Sequence, residues 1–328
     1  MSSKKELVLR AFHNVETERV PVGFWFHFLN PENFLAGLEN PDLLEENLAG
    51  QKAYKEAFDP DFVKIMTDGY FLVPVELPEI KSASDLRKIK PVAKNHPIYE
   101  KYVELVSRVR ALYGDDILQF VNIFSPLYHL LMLQQTPYAE WNVNDWLAED
   151  PEAVAYALDV IADALVELVS RVVGPGLADG IYLSAKNTNR SISAETYTKY
   201  ITPSEIKVLE AANAKAPDHI LHICGYEGNQ NILEVYVEYP VTAVNVALHT
   251  EDITLSKAKE LFKGRAIIGG FENTTKGILY KGTKEEIQAE TRNILAESGR
   301  IGVILGADCT VPSDIDIEHL KWVREAAE

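Results

Sequence analysis

Eight short apolar runs, separated by longer segments of helical periodicity, constrain the fold of this chain more than any other feature. The runs are rich in β-branched and aromatic residues and begin at Val20, Asp61, Asp116, Gly180, His219, Val241, Ala266 and Ile301. Strands that alternate with helices predict βαβ units and a parallel sheet. Eight such units predict an α/β fold of the (β/α)₈ TIM barrel type, with residues 1–328 in a single domain that carries extra N-terminal helices.

Several of the segments between the runs begin with helix start signals. Asp150 followed by Pro151 predicts an N-cap and the first turn of a helix, whose apolar residues recur on one face from Val154 to Val172. Three pairs of residues have the spacing of a capping box. These pairs are Ser3 with Glu6, Thr202 with Glu205, and Thr283 with Glu286.

The alternative architecture is an open, doubly wound parallel sheet. Such a sheet needs a glycine-rich phosphate-binding turn after its first strand. The residues after Val22 are GFWFHFLN, which contain one glycine. The sequence therefore favours the barrel over the open sheet.

The charge balance excludes one large class of partners. The chain has 49 acidic and 32 basic side chains and a formal net charge of −17, and a nucleic-acid backbone repels such a protein. No apolar stretch approaches the ~20 residues that cross a bilayer, and the N-terminal segment is charged and amphipathic. We therefore expect a cytoplasmic protein that binds neither nucleic acid nor a membrane.

Active sites of such barrels lie at the carboxyl ends of the strands, so the sequence itself predicts the positions that surround a substrate. The candidate substrate-binding residues at these positions are His27, Asp68, Asn187, Glu227, Asn245 and Glu272. His27 is equally compatible with a hydrogen-bonded wall residue, and Asp68 with the cap of the following helix. Glu272 is also compatible with a residue that closes a turn.

Both cysteines of the chain fall at the same predicted edge. His222 and Cys224 are two residues apart in a strand and share a face, and Cys309 ends the last run. Two thiolates and an imidazole suit zinc, and three protein ligands with an open fourth position are typical of a catalytic zinc site. The alternative is that each cysteine is a small apolar core residue.

Four stretches carry a family resemblance that extends over essentially the whole chain. VLRAFHNVETERVPVGFWFH, LHICGYEGN, GGFENTTKGILYKGTKEEI and GADCTVP resemble the uroporphyrinogen decarboxylase superfamily, and are closer to its zinc-dependent corrinoid and coenzyme M-type methyltransferases than to true uroporphyrinogen decarboxylase. This resemblance implies a (β/α)₈ barrel. It also implies that His222, Cys224 and Cys309 are catalytic residues that hold one Zn²⁺ per chain, that a corrinoid is carried by a partner protein, and that the chain forms a homodimer.

The chain departs from both branches of the superfamily. True decarboxylases carry an Arg-Gln-Ala-Gly-Arg-Tyr stretch that meets substrate carboxylates, and this chain has FWFHFLN there, although Asp68 could stand where they keep a pyrrole-contacting aspartate. Some methyltransferases complete the zinc site with a carboxylate near the sixth strand, where this chain has VNVALHT. Candidates for the fourth ligand are Asn245, His249, Glu227, Asp308 or a water molecule.

The leading functional hypothesis is zinc-dependent transfer of a methyl group between a corrinoid protein and a thiol or similar small acceptor. The second hypothesis is cofactor-free decarboxylation of uroporphyrinogen or a related acid. The third is a non-catalytic paralogue that binds a tetrapyrrole or corrinoid.

Overall fold

A curled parallel sheet forms the centre of the fold, with helices in the connections between its strands. The computed structural model describes residues 2–77, 79–133, 143–187, 190–225 and 228–328. The strands in these ranges are β1 (Phe62–Ile65), β2 (Val75–Glu76), β3 (Lys90–Pro91), β4 (Leu118–Phe124), β5 (Gly180–Ala185), β6 (Ile220–Ile223), β7 (Ala243–Val246), β8 (Ala266–Phe271) and β9 (Val303–Ala307). The helices are α1 (Lys4–Phe12), α2 (Asp42–Ala57), α3 (Pro97–Tyr113), α4 (Pro126–Leu133), α5 (Val143–Glu149), α6 (Pro151–Val172), α7 (Ala194–Tyr200), α8 (Thr202–Asn213), α9 (Leu248–Glu251), α10 (Leu255–Leu261), α11 (Ile278–Lys281), α12 (Lys284–Ser298) and α13 (Ile317–Ala326), with short 3₁₀ turns at Pro31–Asn33, Ala83–Lys88 and Leu233–Tyr236.

Seven of the eight predicted runs are strands of one parallel sheet, in the order β1-β4-β5-β6-β7-β8-β9. Alternate residues of each strand face the inside of the curl, and near the amino ends of the strands these residues form an apolar cluster that includes Phe62, Phe120 and Ile304. Val8 and Phe12 of α1 pack into the same cluster, and the Lys5 N–H donates to the Asp116 carbonyl just before β4. Helix α1 therefore covers the amino ends of the strands. A functional site can therefore lie only at the other end of the sheet, at the carboxyl ends of the strands.

The first predicted run, which begins at Val20, is not a strand, so the prediction of eight strands is wrong at this position. Val22 forms a single parallel bridge with Leu305 of β9, and the Gly23 N–H donates to the Leu305 carbonyl at 2.9 Å. On the other side the Val22 carbonyl accepts from the Asp61 N–H, but the Val22 N–H donates to the Asp61 carboxylate at 2.8 Å. Because a side chain takes this backbone donor, no regular ladder forms with β1. The extended segment still lies between the two edge strands of the sheet.

Helix α6 follows the sequence prediction closely. Asp150 caps it by accepting from the Ala153 N–H at 3.1 Å, and the apolar face from Val154 to Val172 is buried. The acidic residues Asp159 and Asp163 on its outer face pair with Lys207 of α8. Nowhere in the described ranges does a helix combine the length and apolar character needed to cross a bilayer.

Two of the three predicted capping pairs begin helices as expected. Thr283 and Glu286 form a complete capping box, and the Ser3 hydroxyl accepts from the Glu6 N–H. The prediction for the third pair, Thr202 with Glu205, is wrong. Thr202 is already inside α8, because α7 continues into α8 through Ile201. Glu205 is buried and accepts hydrogen bonds from the Tyr197 and Tyr239 hydroxyls instead.

We expect the Asp61 carboxylate to be essential for joining the first segment to the sheet. It is fully buried and binds both terminal nitrogens of Arg19 at 2.6 Å as well as the Val22 N–H. Asp61→Ala should lower the free energy of unfolding by about 3 kcal/mol, because it leaves a guanidinium and a buried N–H without their partner. Urea denaturation measures this change.

Glu45→Ala is the matched control, since Glu45 makes a comparable two-point pair with Arg108 on an exposed surface. It should change the free energy of unfolding by less than about 1 kcal/mol. Equal losses in the two variants would contradict the role of Asp61.

Candidate metal centre

His222, Cys224 and Cys309 come together at the carboxyl ends of β6 and β9. The Sγ atoms of the two cysteines are 3.9 Å apart, and Cys309 Sγ lies 3.4 Å from His222 Nε2. One ligand atom from each residue lies within 4.8 Å of the others. Both cysteines are free thiols. The structure thus brings together the three residues that the sequence predicts as a group.

The distances from Cys309 Sγ to the other two ligand atoms fit a tetrahedral metal ion. At zinc–sulfur and zinc–nitrogen bond lengths, tetrahedral coordination separates ligand atoms by roughly 3.4–3.8 Å. The Sγ–Sγ and Sγ–Nε2 distances of 3.9 and 3.4 Å are close to these values. Among the residues that the structure describes, no aspartate or glutamate joins the group, so it offers three protein ligands.

The electrostatics of the cluster favour a thiolate at Cys309. The hydrogen bond with Cys224 holds the pKa of Cys309 well below its ordinary value, and the nearby His222 and Lys64 lower it further against the opposing effect of burial. A thiolate is the form of cysteine that binds metals and attacks electrophiles.

Asn231 fixes the backbone that carries Cys224. Its amide nitrogen donates to the Cys224 carbonyl at 3.0 Å and to the Glu251 carboxylate at 2.8 Å. The Cys224 N–H in turn donates to the Ala185 carbonyl at the end of β5. Burial raises the pKa of Glu251.

Asp308 fixes the turn that carries Cys309. Its N–H donates to the Phe271 carbonyl, and its carboxylate lies 3.0 Å from both the backbone nitrogen and the Nδ1 atom of His249. Burial raises the pKa of Asp308. The hydrogen bond with Asp308 raises the pKa of His249. His249 and Asp308, candidates for a fourth ligand, thus bind each other.

Two predicted substrate-binding residues are buried in hydrogen-bond networks. Asn187 accepts from the Ile232 N–H and donates to the Ile232 carbonyl, which ties the loop after β5 to the loop after β6. Asn245 accepts from the Tyr182 hydroxyl at 2.6 Å and donates to the Ile268 and Ala307 carbonyls. A role in substrate binding remains a prediction for both.

His27 and Asp68 form a pair at the rim. Asp68 is fully buried, and its carboxylate lies 2.9 Å from His27 Nδ1 and accepts from the N–H groups of Phe28 and Leu29. The His27 ring is partly exposed and packs 4.4 Å from the ring of Phe34. Asp68 therefore orients His27 and the loop after the first run.

The remaining two predicted positions have different outcomes. Glu272 is half-buried at the end of β8, and its carboxylate accepts from the Thr274 hydroxyl. Glu227 lies outside the described residues.

Lys64 is a residue of this region that the sequence reasoning missed. It lies in β1 between Phe62 and Met66, faces the inside of the curl, and is only 7% exposed. A signal was present in the run DFVKIM, where a lysine alternates with inward apolar residues. A charge at an inward position of a buried strand indicates a functional group rather than a surface residue.

The fold and the cluster together define an α/β protein with a candidate metal centre at the carboxyl ends of parallel strands. The uroporphyrinogen decarboxylase (URO-D) family model matches residues 65–328. The chain therefore belongs to the uroporphyrinogen decarboxylase family.

The similar curated proteins include methyltransferases. The chain is 22% identical over 250 residues to the methylcobamide:CoM methyltransferase MtbA of Methanosarcina acetivorans, and 23% identical over 249 residues to that of Methanosarcina mazei, with 76% of this chain and 69% of the relative covered in both cases. Among solved structures, a methyltransferase from Methanosarcina mazei superposes with a TM-score of 0.75 at 17% identity, over 100% of this chain and 98% of the other. A B12-independent methionine synthase from Shewanella sp. W3-18-1 superposes with a TM-score of 0.54 at 13% identity, over 94% and 96%. The structural matches establish a shared fold.

The lowered pKa of Cys309 predicts unusual reactivity in metal-free protein. An unperturbed thiol loses about tenfold in alkylation rate for each pH unit below its pKa of about 8.5, because only the thiolate reacts. Alkylation of Cys309 by iodoacetamide, followed by mass spectrometry, should slow down between pH 8 and pH 6.5 by clearly less than tenfold per pH unit, because the pKa of this thiol is lowered. In Cys224→Ala the hydrogen bond is lost and the rate at pH 6.5 should fall. A tenfold decrease per pH unit in the unsubstituted protein would contradict a stabilised thiolate.

Proposed function

We propose that this protein is a zinc-dependent methyltransferase that moves a methyl group between a corrinoid protein and a thiol or similar small acceptor. The observation that carries the proposal is the convergence of His222 Nε2, Cys224 Sγ and Cys309 Sγ at one edge of the sheet. Two sulfurs and one imidazole nitrogen form the donor set that zinc prefers, and a fourth position is left for a substrate.

The three side chains would hold the zinc ion, and their neighbours would keep them in place. A bound zinc ion stabilises the thiolate form of a thiol acceptor at neutral pH. The acceptor thiol releases its proton to solvent, its sulfur forms a bond to the methyl carbon, and the bond between the methyl carbon and the donor breaks with its electron pair on the donor. The Asn231 contact with Cys224 and the Asp308 contact with His249 keep the ligands ordered before the metal binds.

Three further observations support transfer of a methyl group over decarboxylation of uroporphyrinogen. The relatives at 22% and 23% identity are named methylcobamide:CoM methyltransferases. FWFHFLN after Gly23 contains no arginine to bind substrate carboxylates. Asp68, the candidate pyrrole-contacting residue, has its carboxylate engaged by His27 and two backbone N–H groups. The methyl donor that fits this proposal is a methyl-corrinoid carried by a partner protein.

Metal analysis is the first test. Purified protein should contain about one zinc ion per chain, and His222→Ala, Cys224→Ala and Cys309→Ala should each lose most of it, because two remaining ligands bind zinc weakly. Inductively coupled plasma mass spectrometry measures the zinc. His13→Ala is the control, since the His13 side chain is 57% exposed and pairs with Asp218 away from the cluster. Folded protein without zinc after reconstitution would contradict the proposal.

Activity is the second test. With methylcobalamin and a small thiol, the zinc-loaded protein should form the methyl thioether, detected by mass spectrometry, and Cys309→Ala should be slower by roughly 100-fold or more, because a metal contributes several kcal/mol to the transition state. His13→Ala should match the unsubstituted enzyme. Carbon dioxide release from uroporphyrinogen by metal-free protein, without thioether formation, would favour the decarboxylase hypothesis.

A further inference from the structure

The two cysteine sulfurs lie close enough to react with each other. Cys224 Sγ and Cys309 Sγ are 3.9 Å apart, and both residues are free thiols. A disulfide bond is about 2.05 Å long, so its formation requires each sulfur to move by about 1 Å. The chain has two cysteines in all, so any disulfide within one chain joins these two residues.

Hydrogen bonds hold the backbone at both cysteines. The Cys224 carbonyl accepts from the Asn231 amide at 3.0 Å. Next to Cys309, the Asp308 N–H donates to the Phe271 carbonyl at 2.8 Å. The fold therefore keeps the two thiols beside each other, and small rotations of their side chains are enough to bring the sulfurs together.

The two thiols differ in their access to solvent. Cys224 is 5% exposed, whereas Cys309 is half-buried just after the carboxyl end of β9. A small oxidant that enters at the carboxyl ends of the strands therefore meets Cys309 first. Because exposure is one of the properties that decide which thiol is oxidised, Cys309 is the site of attack and Cys224 is the thiol that resolves it.

We propose that Cys309 and Cys224 form a reversible intrachain disulfide when the metal-free protein meets a peroxide, and that the oxidised protein cannot take up a metal. The bond removes two of the three ligands of the candidate metal centre and leaves His222, and a single imidazole binds zinc weakly. The bond itself needs only the two thiols. The loss of methyl transfer that would follow rests on the proposed function.

The reaction has two steps, and each of them balances. In the first, the Cys309 thiol gives its proton to solvent and its sulfur attacks one peroxide oxygen. The O–O bond breaks, the second oxygen leaves with the electron pair and becomes water, and Cys309 becomes a sulfenic acid. In the second, the Cys224 sulfur loses its proton and attacks the Cys309 sulfur, and the S–O bond breaks to release a second water. Two thiols are oxidised and one peroxide is reduced.

Mass spectrometry of the full-length protein tests the bond. The metal-free protein is treated with a small excess of hydrogen peroxide at neutral pH. Each chain should lose two hydrogen atoms in mass and both of the thiols that iodoacetamide labels, and proteolysis should release a peptide pair that joins Cys224 to Cys309. Dithiothreitol should restore both thiols.

Zinc uptake tests the consequence of the bond. The oxidised protein should take up less than about a tenth of the zinc that the reduced protein binds, because both sulfur ligands are lost. Reduction with dithiothreitol, followed by removal of the reductant, should restore the uptake. Circular dichroism before and after oxidation checks that the fold is intact.

Single variants separate the roles of the two cysteines. Cys224→Ala lacks the resolving thiol, so Cys309 should stop at the sulfenic acid, which dimedone traps. In Cys309→Ala, the buried Cys224 should react with peroxide more slowly by about tenfold or more. His222→Ala is the matched control: it removes a ligand but keeps both sulfurs, and it should still form the disulfide.

The inference is overturned if the folded protein keeps both thiols in peroxide, if the bond joins two chains, or if the oxidised protein takes up as much zinc as the reduced protein. It is overturned as well if Cys224 in Cys309→Ala reacts as fast as Cys309 in Cys224→Ala. A disulfide in a protein that takes up no zinc even when reduced would support the bond and contradict the proposed function. Zinc uptake by a protein whose metal-free thiols resist peroxide would contradict the inference and support the proposed metal centre.

Discussion

The curvature of the parallel sheet is the constraint on which the candidate metal centre depends. Two strands, β7 and β8, separate β6 from β9. In a flat sheet with ~4.8 Å between neighbours, Cys224 and Cys309 would lie roughly 14 Å apart. Their sulfurs are 3.9 Å apart because the sheet curls and because the segment around Val22 joins its two edges. Asp61, which binds both Arg19 and the Val22 N–H, therefore helps to position the candidate metal centre at the opposite end of the strands.

The inner face of the sheet changes from apolar to polar along the strands. Phe62, Phe120 and Ile304 pack with α1 near the amino ends. Farther along the same strands or their neighbours, inward residues carry an ammonium group, amides and an imidazole, at Lys64, Asn122, Asn245 and His222. The apolar half supplies the buried area that stabilises the fold, and the polar groups lie toward the carboxyl ends of the strands, where the candidate site is. A family member with this division can change its substrate without rebuilding its core.

The sequence predicted the cluster because two simple rules applied to it. Residues two apart in a strand share a face, which paired His222 with Cys224, and carboxyl ends of parallel strands meet at one edge, which added Cys309. The same rules placed Asn187, Asn245 and Asp68 near the carboxyl ends of the strands but could not predict their hydrogen bonds. Those bonds join residues that are far apart in sequence, as in the contacts of Asn187 with Ile232, 45 residues away, and of Asn245 with Tyr182, 63 residues away. The first run was predicted as a strand because its composition suits one, and the Asp61 carboxylate that takes its N–H is not visible in a pattern of apolar residues.

Zinc X-ray absorption spectroscopy of the purified protein tests the central claim most directly. Coordination by Cys224, Cys309 and His222 predicts two sulfur atoms at about 2.3 Å and at least one nitrogen atom at about 2.0–2.1 Å from the zinc ion. Binding of a thiol should add a third sulfur at a similar distance. A zinc ion surrounded only by oxygen and nitrogen atoms, or a folded protein that binds no zinc, would contradict a metal centre at the ends of β6 and β9.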